Sequence, residues 1–132
     1  MKVVVHVDGG ARGNPGPAAI GAVVSTPEGD VLDESSARIG DATNNVAEYR
    51  AVLHGLERAR ALGATEVDVV NDSELVARQL EGRYKVKHEG LRPLHAQALD
   101  ALRGFERWSV RPVPRERNAR ADALVNEALD AA

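Results

Sequence analysis

The sequence contains no cysteine, which excludes disulfide bonds, zinc–thiolate sites and cysteine nucleophiles. Aromatic residues are scarce, with one Trp, two Tyr and one Phe, so the core must consist mainly of Val, Leu, Ile and Ala. No apolar run approaches the roughly 18 residues that a membrane-spanning helix needs. The N-terminus also lacks the charged and apolar regions of a signal peptide. We therefore expect a protein of the reducing, cytoplasmic compartment.

Positive charge is scarce in most of the chain and concentrated in one segment. The formal net charge is −3, which alone argues against binding to nucleic acid. Residues 1–82 carry 7 Lys/Arg and 13 Asp/Glu, residues 83–120 carry 10 and 4, and residues 121–132 add three acids and no base. A basic segment beside an acidic remainder suits a polyanion held near bound cations. An ordinary solvated surface explains the same distribution equally well.

The length of 132 residues and the hydrophobic fraction of 43% indicate one globular domain, residues 1–132. Hydrophobic patterning predicts five strands, at residues 2–8, 18–25, 31–39, 66–72 and 108–113. Four helices are predicted: from a cap at Thr43 or Asn44 to about Leu62, over 73–80 with Ser73 as its cap, from Leu91 to about Phe105, and after a cap at Asn118.

The order of these elements predicts an α/β fold with a five-stranded mixed sheet flanked by helices. Short connections make the first three strands an antiparallel meander. The fourth and fifth strands are reached through helices, so we expect them to run parallel to the first, with the fourth beside it. The third strand alternates poorly and the fifth contains Pro112, so both suit edge positions.

Four acidic residues lie where the elements of this sheet are expected to meet. Asp8 and Asp72 end the first and fourth strands, and Glu48 and Asp122 lie near the starts of two helices. Such carboxylates share a small volume while ionised only when cations neutralise them. Oxygen ligands alone favour Mg²⁺, with Mn²⁺ as a substitute. Four acids suffice for two ions about 3.5–4 Å apart, the arrangement that suits displacement at phosphorus.

Each acid alone also has an ordinary structural explanation. Asp72 suits a helix cap, Glu48 and Asp122 suit the positive ends of helix dipoles, and Asp8 suits a turn. Only their joint placement at one edge of the sheet favours a metal site.

Four motifs carry these acids, and they occur in order along the whole chain. They are Asp8-Gly9-Gly10 with the segment from Gly13 to Gly21, Thr43-Asn44-Asn45-Val46-Ala47-Glu48, Asn71-Asp72-Ser73, and Asn118-Ala119-Arg120-Ala121-Asp122. Together they resemble the signature of ribonuclease H type 1. The resemblance implies the ribonuclease H-like fold.

The resemblance also implies an activity, which is hydrolysis of the RNA strand of RNA–DNA hybrids by an endonuclease. Asp8, Glu48, Asp72 and Asp122 would then be the catalytic residues and the ligands of two Mg²⁺ ions. The expected products carry 5′-phosphate and 3′-hydroxyl ends, and no covalent intermediate is expected. The partner would be the hybrid duplex, bound by a monomer.

The same resemblance assigns substrate contacts to short polar side chains. Asn14, Asn44 and Asn45 would contact the 2′-hydroxyls in the minor groove of the hybrid. Asn14 equally suits a turn residue, and Asn44 equally suits a helix cap. Thr43 resembles the family's contact with a phosphate of the DNA strand. The basic residue often found two positions earlier is replaced by Asp41, which weakens this expectation.

Two family features are missing. The long basic, Trp-rich insertion of some members is reduced here to a short segment in which Tyr84, Lys85 and Lys87 are possible contacts to the DNA strand. We therefore expect weaker, more salt-sensitive binding. The loop before the last acid lacks the histidine of many members, and Arg115 or Arg117 would approach the phosphate instead.

Two other functional interpretations remain open at this point. One is a binding module that kept the fold and lost catalysis, which the loss of an acid would favour; none is lost. The other is a nuclease of the same fold acting on double-stranded RNA or DNA junctions, against which the asparagine motifs favour the hybrid. Domains of this kind also occur fused to other enzymes, and the sequence leaves open whether this chain is a whole protein.

Overall fold

The backbone is organised around a five-stranded mixed sheet with helices on both faces, as seen in a computed structural model that describes residues 1–131. The strands are β1 (Lys2–Ala11), β2 (Gly16–Ser25), β3 (Val31–Ala42), β4 (Glu66–Asn71) and β5 (Arg107–Pro112). The helices are α1 (Asn44–Ala61), α2 (Glu74–Leu80), α3 (Arg92–Arg103) and α4 (Ala119–Asp130). Short 3₁₀ turns at Glu89–Leu91 and Arg115–Asn118 precede α3 and α4.

The strand order β3-β2-β1-β4-β5 confirms the topology expected from the sequence. β1, β2 and β3 pair antiparallel, whereas β4 pairs parallel with both β1 and β5. The two predicted edge strands, β3 and β5, lie at the two edges. The result follows from connection length, because short turns join antiparallel neighbours and helical crossovers join parallel ones.

The strand boundaries differ from the expectation around the first turn. β1 continues past Asp8 to Ala11 because the small residues after Asp8 still pair with β2. β2 begins at Gly16 rather than Ala18 because Gly16 and Pro17 pair with β3. The parallel pairing with β4, however, ends at His6 opposite Val70. Asp8 therefore lies inside a strand but just beyond the last parallel pair.

The two faces of the sheet bury different helices. Gly55 of α1 packs so closely on β1 that an added Cβ would lie 2.6 Å from Val7 Cγ1, and Gly55 also faces Ala22. Gly21, which precedes Ala22 in β2, faces Ala121 of α4. Since successive strand residues point to opposite faces, α1 and α4 cover opposite sides of the sheet. Within residues 1–131, no helix is long and apolar enough to span a bilayer.

Two of the three predicted helix caps are confirmed and the third is wrong. The Thr43 and Ser73 side chains accept hydrogen bonds from the N–H groups of Val46 and Val76, each at 3.2 Å. Asn118 precedes α4 but makes no side-chain cap. Its Nδ2 instead donates to the Val7 carbonyl oxygen at 2.8 Å, and the residue is only 1% exposed. Asn118 therefore joins α4 to β1, a contact between distant segments that local spacing does not reveal.

Candidate active site

Four carboxylates from four separate elements line one cleft of about 390 Å³. Asp8 comes from β1, Glu48 from α1, Asp72 from the residue after β4, and Asp122 from the first turn of α4. One carboxylate oxygen from each of Asp8, Glu48 and Asp72 lies within 4.8 Å of the other two. Asp122 stands outside this triplet but faces the same cleft. The structure thus brings together all four acids singled out in the sequence.

A glycine allows two of these acids to approach each other. A Cβ at Gly9 would lie 2.2 Å from the carbonyl oxygen of Ala47 and 2.7 Å from the Glu48 nitrogen. Only a residue without a side chain lets β1 run this close to the backbone of α1. Gly9 therefore sets the distance between Asp8, its neighbour in sequence, and Glu48.

Asp8 is the most strongly perturbed group of the cleft. The residue is only 8% exposed. The pKa of Asp8 is raised to about 8, mainly by burial and also by the nearby carboxylates of Asp72, Asp122 and Glu48. Without a bound cation, the cleft therefore disfavours the ionised form of Asp8.

Glu48 and Asp72 are perturbed in the same direction. Burial raises the pKa of Glu48 to about 7, while a hydrogen bond with Ser73 and the charge of Arg115 act against the rise. Burial also raises the pKa of Asp72, again opposed by Arg115. The positive charge of Arg115 thus favours the ionised forms of both Glu48 and Asp72.

The donor atoms fit a hard divalent cation. Every candidate ligand is a carboxylate oxygen, the type that such ions prefer. Glu48 Oε2 is buried and has no hydrogen-bond partner among residues 1–131. A buried oxygen without a partner is costly unless an ion or other donor meets it. Asp8, Glu48 and Asp72 would hold such an ion, with Asp122 beside them.

The candidate substrate contacts lie next to this cleft, where the β1–β2 turn meets the start of α1. Asn14 Oδ1 accepts a hydrogen bond from the Asn44 N–H at 3.1 Å, and Asn44 Oδ1 accepts from the Ala11 N–H at 2.9 Å. Asn44 therefore ties the turn to α1 and is not the helix cap, which is Thr43. Asn14 stabilises the turn through this hydrogen bond, which agrees with its interpretation as a turn residue.

A second hollow, of about 290 Å³, adjoins the start of α1. It is lined by Asn14, Thr43 and Asn45 together with His88. His88 Nδ1 accepts a hydrogen bond from the Gly90 N–H at 3.1 Å, which leaves Nε2 as the nitrogen that carries a proton. The basic segment ending at His88 thus reaches the predicted substrate-contact residues.

Of the remaining predicted site residues, only Arg115 lines the acidic cleft. Arg117 lines a separate pocket with His6 and Arg120. Tyr84 is 47% exposed, and the neighbouring lysines of its segment are also exposed and do not line the cleft.

Two polar residues of the cleft were not identified as site residues from the sequence. Arg12 follows β1 directly and lines the cleft at its rim. Asn126 lies one helical turn after Asp122 and donates from Nδ2 to the Asp122 carbonyl oxygen at 3.2 Å. The four-residue spacing from Asp122 is a signal for Asn126. Arg12 gives no such signal, because a turn arginine is usually only solvated.

The chain is similar to known proteins over nearly its whole length. Residues 6–128 match a family model described as reverse transcriptase-like. The bifunctional protein Rv2228c of Mycobacterium tuberculosis is 55% identical over 133 residues, covering 100% of this chain and 36% of that protein. Ribonuclease HI of Halobacterium salinarum is 45% identical over 129 residues, covering 98% of this chain and 65% of that protein. The chain thus spans about a third of the length of its mycobacterial relatives.

Solved structures agree with the sequence matches. The crystal structure of RNase H1 from Halobacterium salinarum NRC-1 has a TM-score of 0.98 at 45% identity, with 100% of both chains covered. LC11-RNase H1 in complex with an RNA/DNA hybrid has a TM-score of 0.93 at 47% identity, covering 97% of this chain and 96% of that chain.

Proposed function

The chain belongs to the ribonuclease H type 1 family, and from this premise and the geometry of its cleft we propose that it hydrolyses the RNA strand of RNA–DNA hybrids. The observation that carries the proposal is the convergence of Asp8, Glu48 and Asp72 within 4.8 Å, with Asp122 in the same cleft. Support for the substrate comes from LC11-RNase H1, which is 47% identical and was crystallised with an RNA/DNA hybrid.

The four carboxylates would hold two Mg²⁺ ions, for which Mn²⁺ would substitute. When bound, such ions activate the attacking water and stabilise the leaving 3′ oxygen. Among residues 1–131, no Ser, Thr, His or Cys lines the cleft. This composition suits direct attack by water at phosphorus without a covalent intermediate. The products would carry 5′-phosphate and 3′-hydroxyl ends.

Arg115 would bind the phosphate group during the reaction. Its charge acts on Glu48 and Asp72 from the same cleft, so a phosphate resting on these groups would lie within its reach. A guanidinium stays protonated and donates in a planar fork that matches phosphate oxygens. Arg115 therefore stabilises negative charge and does not act as a base.

Recognition of the hybrid would depend on the amides beside the cleft. The hydrogen bonds that tie Asn14 to α1 and Asn44 to β1 use the Oδ1 atoms, so the Nδ2 groups are available to donate to 2′-hydroxyls. Asn45 would make the third such contact, and Thr43 would contact a phosphate of the DNA strand.

Two further elements complete the proposed interaction. Tyr84, Lys85 and Lys87 would contact the DNA strand from their exposed segment, which makes binding sensitive to salt. We propose that the protein acts as a monomer.

The proposal is tested with an end-labelled RNA–DNA hybrid, a matched RNA duplex and a DNA duplex, each incubated with Mg²⁺. We expect cleavage of the hybrid's RNA strand. The new ends should carry 5′-phosphate groups, which a phosphatase removes. Asp8→Asn and Asp72→Asn should lower the rate by about a hundredfold or more, because each removes a charged ligand. The matched control is Asp100→Asn, an exposed acid of α3 outside the cleft, which should cleave like the parent. An uncut hybrid, or an Asp8→Asn variant as fast as the parent, would contradict the proposal.

A further inference from the structure

A second arginine, Arg12, lines the acidic cleft together with Arg115. Arg115 lies in the turn that precedes α4, whereas Arg12 reaches Asp130 in the last turn of that helix. The twelve residues of α4 extend over about 18 Å. The two arginines therefore bracket the cleft along the length of α4, with Asp122 between them.

The backbone that carries Arg12 is held firmly. Its N–H donates to the Pro17 carbonyl oxygen at 2.8 Å, and the preceding Ala11 N–H donates to Asn44 Oδ1 at 2.9 Å. The chain then turns so tightly that a Cβ at Gly16 would lie 2.2 Å from the Arg12 carbonyl oxygen. The backbone at Arg12 is thus fixed by the same turn that holds Asn14 and Asn44.

The charged end of Arg12 is accessible despite this fixed backbone. Its Nη1 pairs with Asp130 Oδ1 at 2.6 Å, and the side chains of the pair are 48% and 67% exposed. Exposed ion pairs contribute little stability, so a stronger partner can displace Asp130. A phosphate diester is such a partner, because it accepts two charge-assisted hydrogen bonds from one guanidinium.

We propose that Arg12 binds a phosphate of the strand that enters the cleft, at a position flanking the phosphate that is cleaved. In the free protein, Asp130 holds Arg12 in place and competes with this phosphate. The inference rests on the proposed function, because it assumes that an RNA strand crosses the carboxylate cluster. It adds a substrate-positioning residue that acts on binding rather than on the chemical step.

A purely structural salt bridge between the β1–β2 turn and α4 is the competing explanation. If the pair were structural, removing either partner would have the same consequence. If Asp130 competes with the substrate for Arg12, removing Arg12 weakens substrate binding and removing Asp130 strengthens it. The sign of the two effects therefore separates the explanations.

The experiment measures steady-state cleavage of an RNA–DNA hybrid by the parent, Arg12→Ala and Asp130→Ala between about 50 and about 200 mM salt. We expect Arg12→Ala to raise KM about tenfold at the lower salt and to leave kcat within about twofold. Its plot of log(1/KM) against log[salt] should be shallower by about 0.7–0.9, the effect of one lost phosphate contact. Asp130→Ala should lower KM by about twofold to threefold.

The matched controls are Arg120→Ala and Glu34→Ala. Arg120 is 50% exposed, pairs with Glu34 at 2.8 Å and lies outside the cleft. Both controls should keep the parent's KM and salt dependence. Equal behaviour of Arg12→Ala and Arg120→Ala, or a shift of KM in the same direction for Arg12→Ala and Asp130→Ala, overturns the inference while the parent still cleaves. A parent that does not cleave the hybrid overturns the proposed function and the inference with it.

Discussion

The acidic residues of the cleft are buried and close together, and both conditions disfavour their ionised forms. Burial raises the pKa values of Asp8 and Glu48 to about 8 and about 7, so both carboxylates resist ionisation without a partner. Their oxygens nevertheless point at one small volume, where the buried Glu48 Oε2 lacks a hydrogen bond within the described chain. Such a cluster is unfavourable for the folded protein alone and favourable once cations neutralise it. The residue-level energetics therefore favour ion binding over a structural role for these acids.

The two arginines of the loop before α4 should differ sharply in function. Arg115 lines the cleft and Arg117 does not, so we expect Arg115→Ala to lower kcat/KM about tenfold to a hundredfold through loss of phosphate stabilisation. Arg117→Ala is the matched control and should stay within about twofold of the parent. Steady-state cleavage of a hybrid checks both, and a larger loss for Arg117→Ala would refute the assignment.

The pH profile of Arg115→Ala gives an independent measurement. Burial raises the pKa values of Glu48 and Asp72, and the Arg115 charge partly offsets that rise. Removing the arginine should therefore move the acidic limb of the rate profile to higher pH, because the pKa values of the two carboxylates rise. Arg115→Lys keeps the charge and should restore the parent's limb.

At the scale of secondary-structure elements, α4 carries Asp122 and is joined to the sheet by Asn118. The Asn118 amide donates to the Val7 carbonyl oxygen from a fully buried position. Asn118→Ala should lower the free energy of unfolding by about 2 kcal/mol, because a buried carbonyl loses its donor. Thermal unfolding checks this, with Asn45→Ala, an exposed asparagine, as the control expected to change stability by less than about 0.5 kcal/mol. An Asn118→Ala variant that melts with the parent would show that the bond contributes nothing.

The elements also show what the sequence predicts well and where it fails. Sheet order, edge strands and the caps at Thr43 and Ser73 depend on local pattern and connection length, so they were predicted correctly. The end of β1 was misplaced because pairing with β2 continues through small residues that carry no hydrophobic signal. The role of Asn118 depends on a partner more than a hundred residues away. Such contacts exist only in the folded chain.

At the scale of the whole molecule, the cleft exists only after folding. Its acids come from β1, α1, the end of β4 and α4, which lie far apart in sequence and on both faces of the sheet. The order of the elements, with each acid at a strand end or a helix start, was enough to predict that these acids converge, because the sheet topology fixes where those elements end. The position of Arg12 relative to α4 depends on the path of the β1–β2 turn, which spacing alone does not give. Folding and the proposed ion binding would therefore be coupled through the four elements that carry these acids.

This coupling predicts how pH and divalent cations change global stability. Without cations, Asp8 titrates near 8 in the folded protein against 3.8 when unfolded, so the folded state binds the proton more tightly. The resulting stabilisation is complete below the unfolded pKa and is lost as pH rises through the folded pKa. We expect the cation-free protein to lose about 1–3 kcal/mol between roughly pH 6.5 and pH 8.5. Burial lowers the pKa values of His6 and His54 from 6.5, so these two side chains change stability mainly at pH values below this window and do not cause the loss.

Thermal unfolding in EDTA and in millimolar Mg²⁺ measures the effect. Asp8→Asn should melt at a higher temperature than the parent at about pH 8.5 in EDTA and should show a flatter pH dependence, because the costly charge is gone. Mg²⁺ should stabilise the parent more at about pH 8.5 than at about pH 6.5, since ionised ligands bind it more tightly, and should stabilise Asp8→Asn little. Asp100→Asn should follow the parent throughout. A pH dependence in Asp8→Asn as steep as the parent's, or an Mg²⁺ effect independent of pH, would mean that Asp8 does not control this part of the stability of the fold.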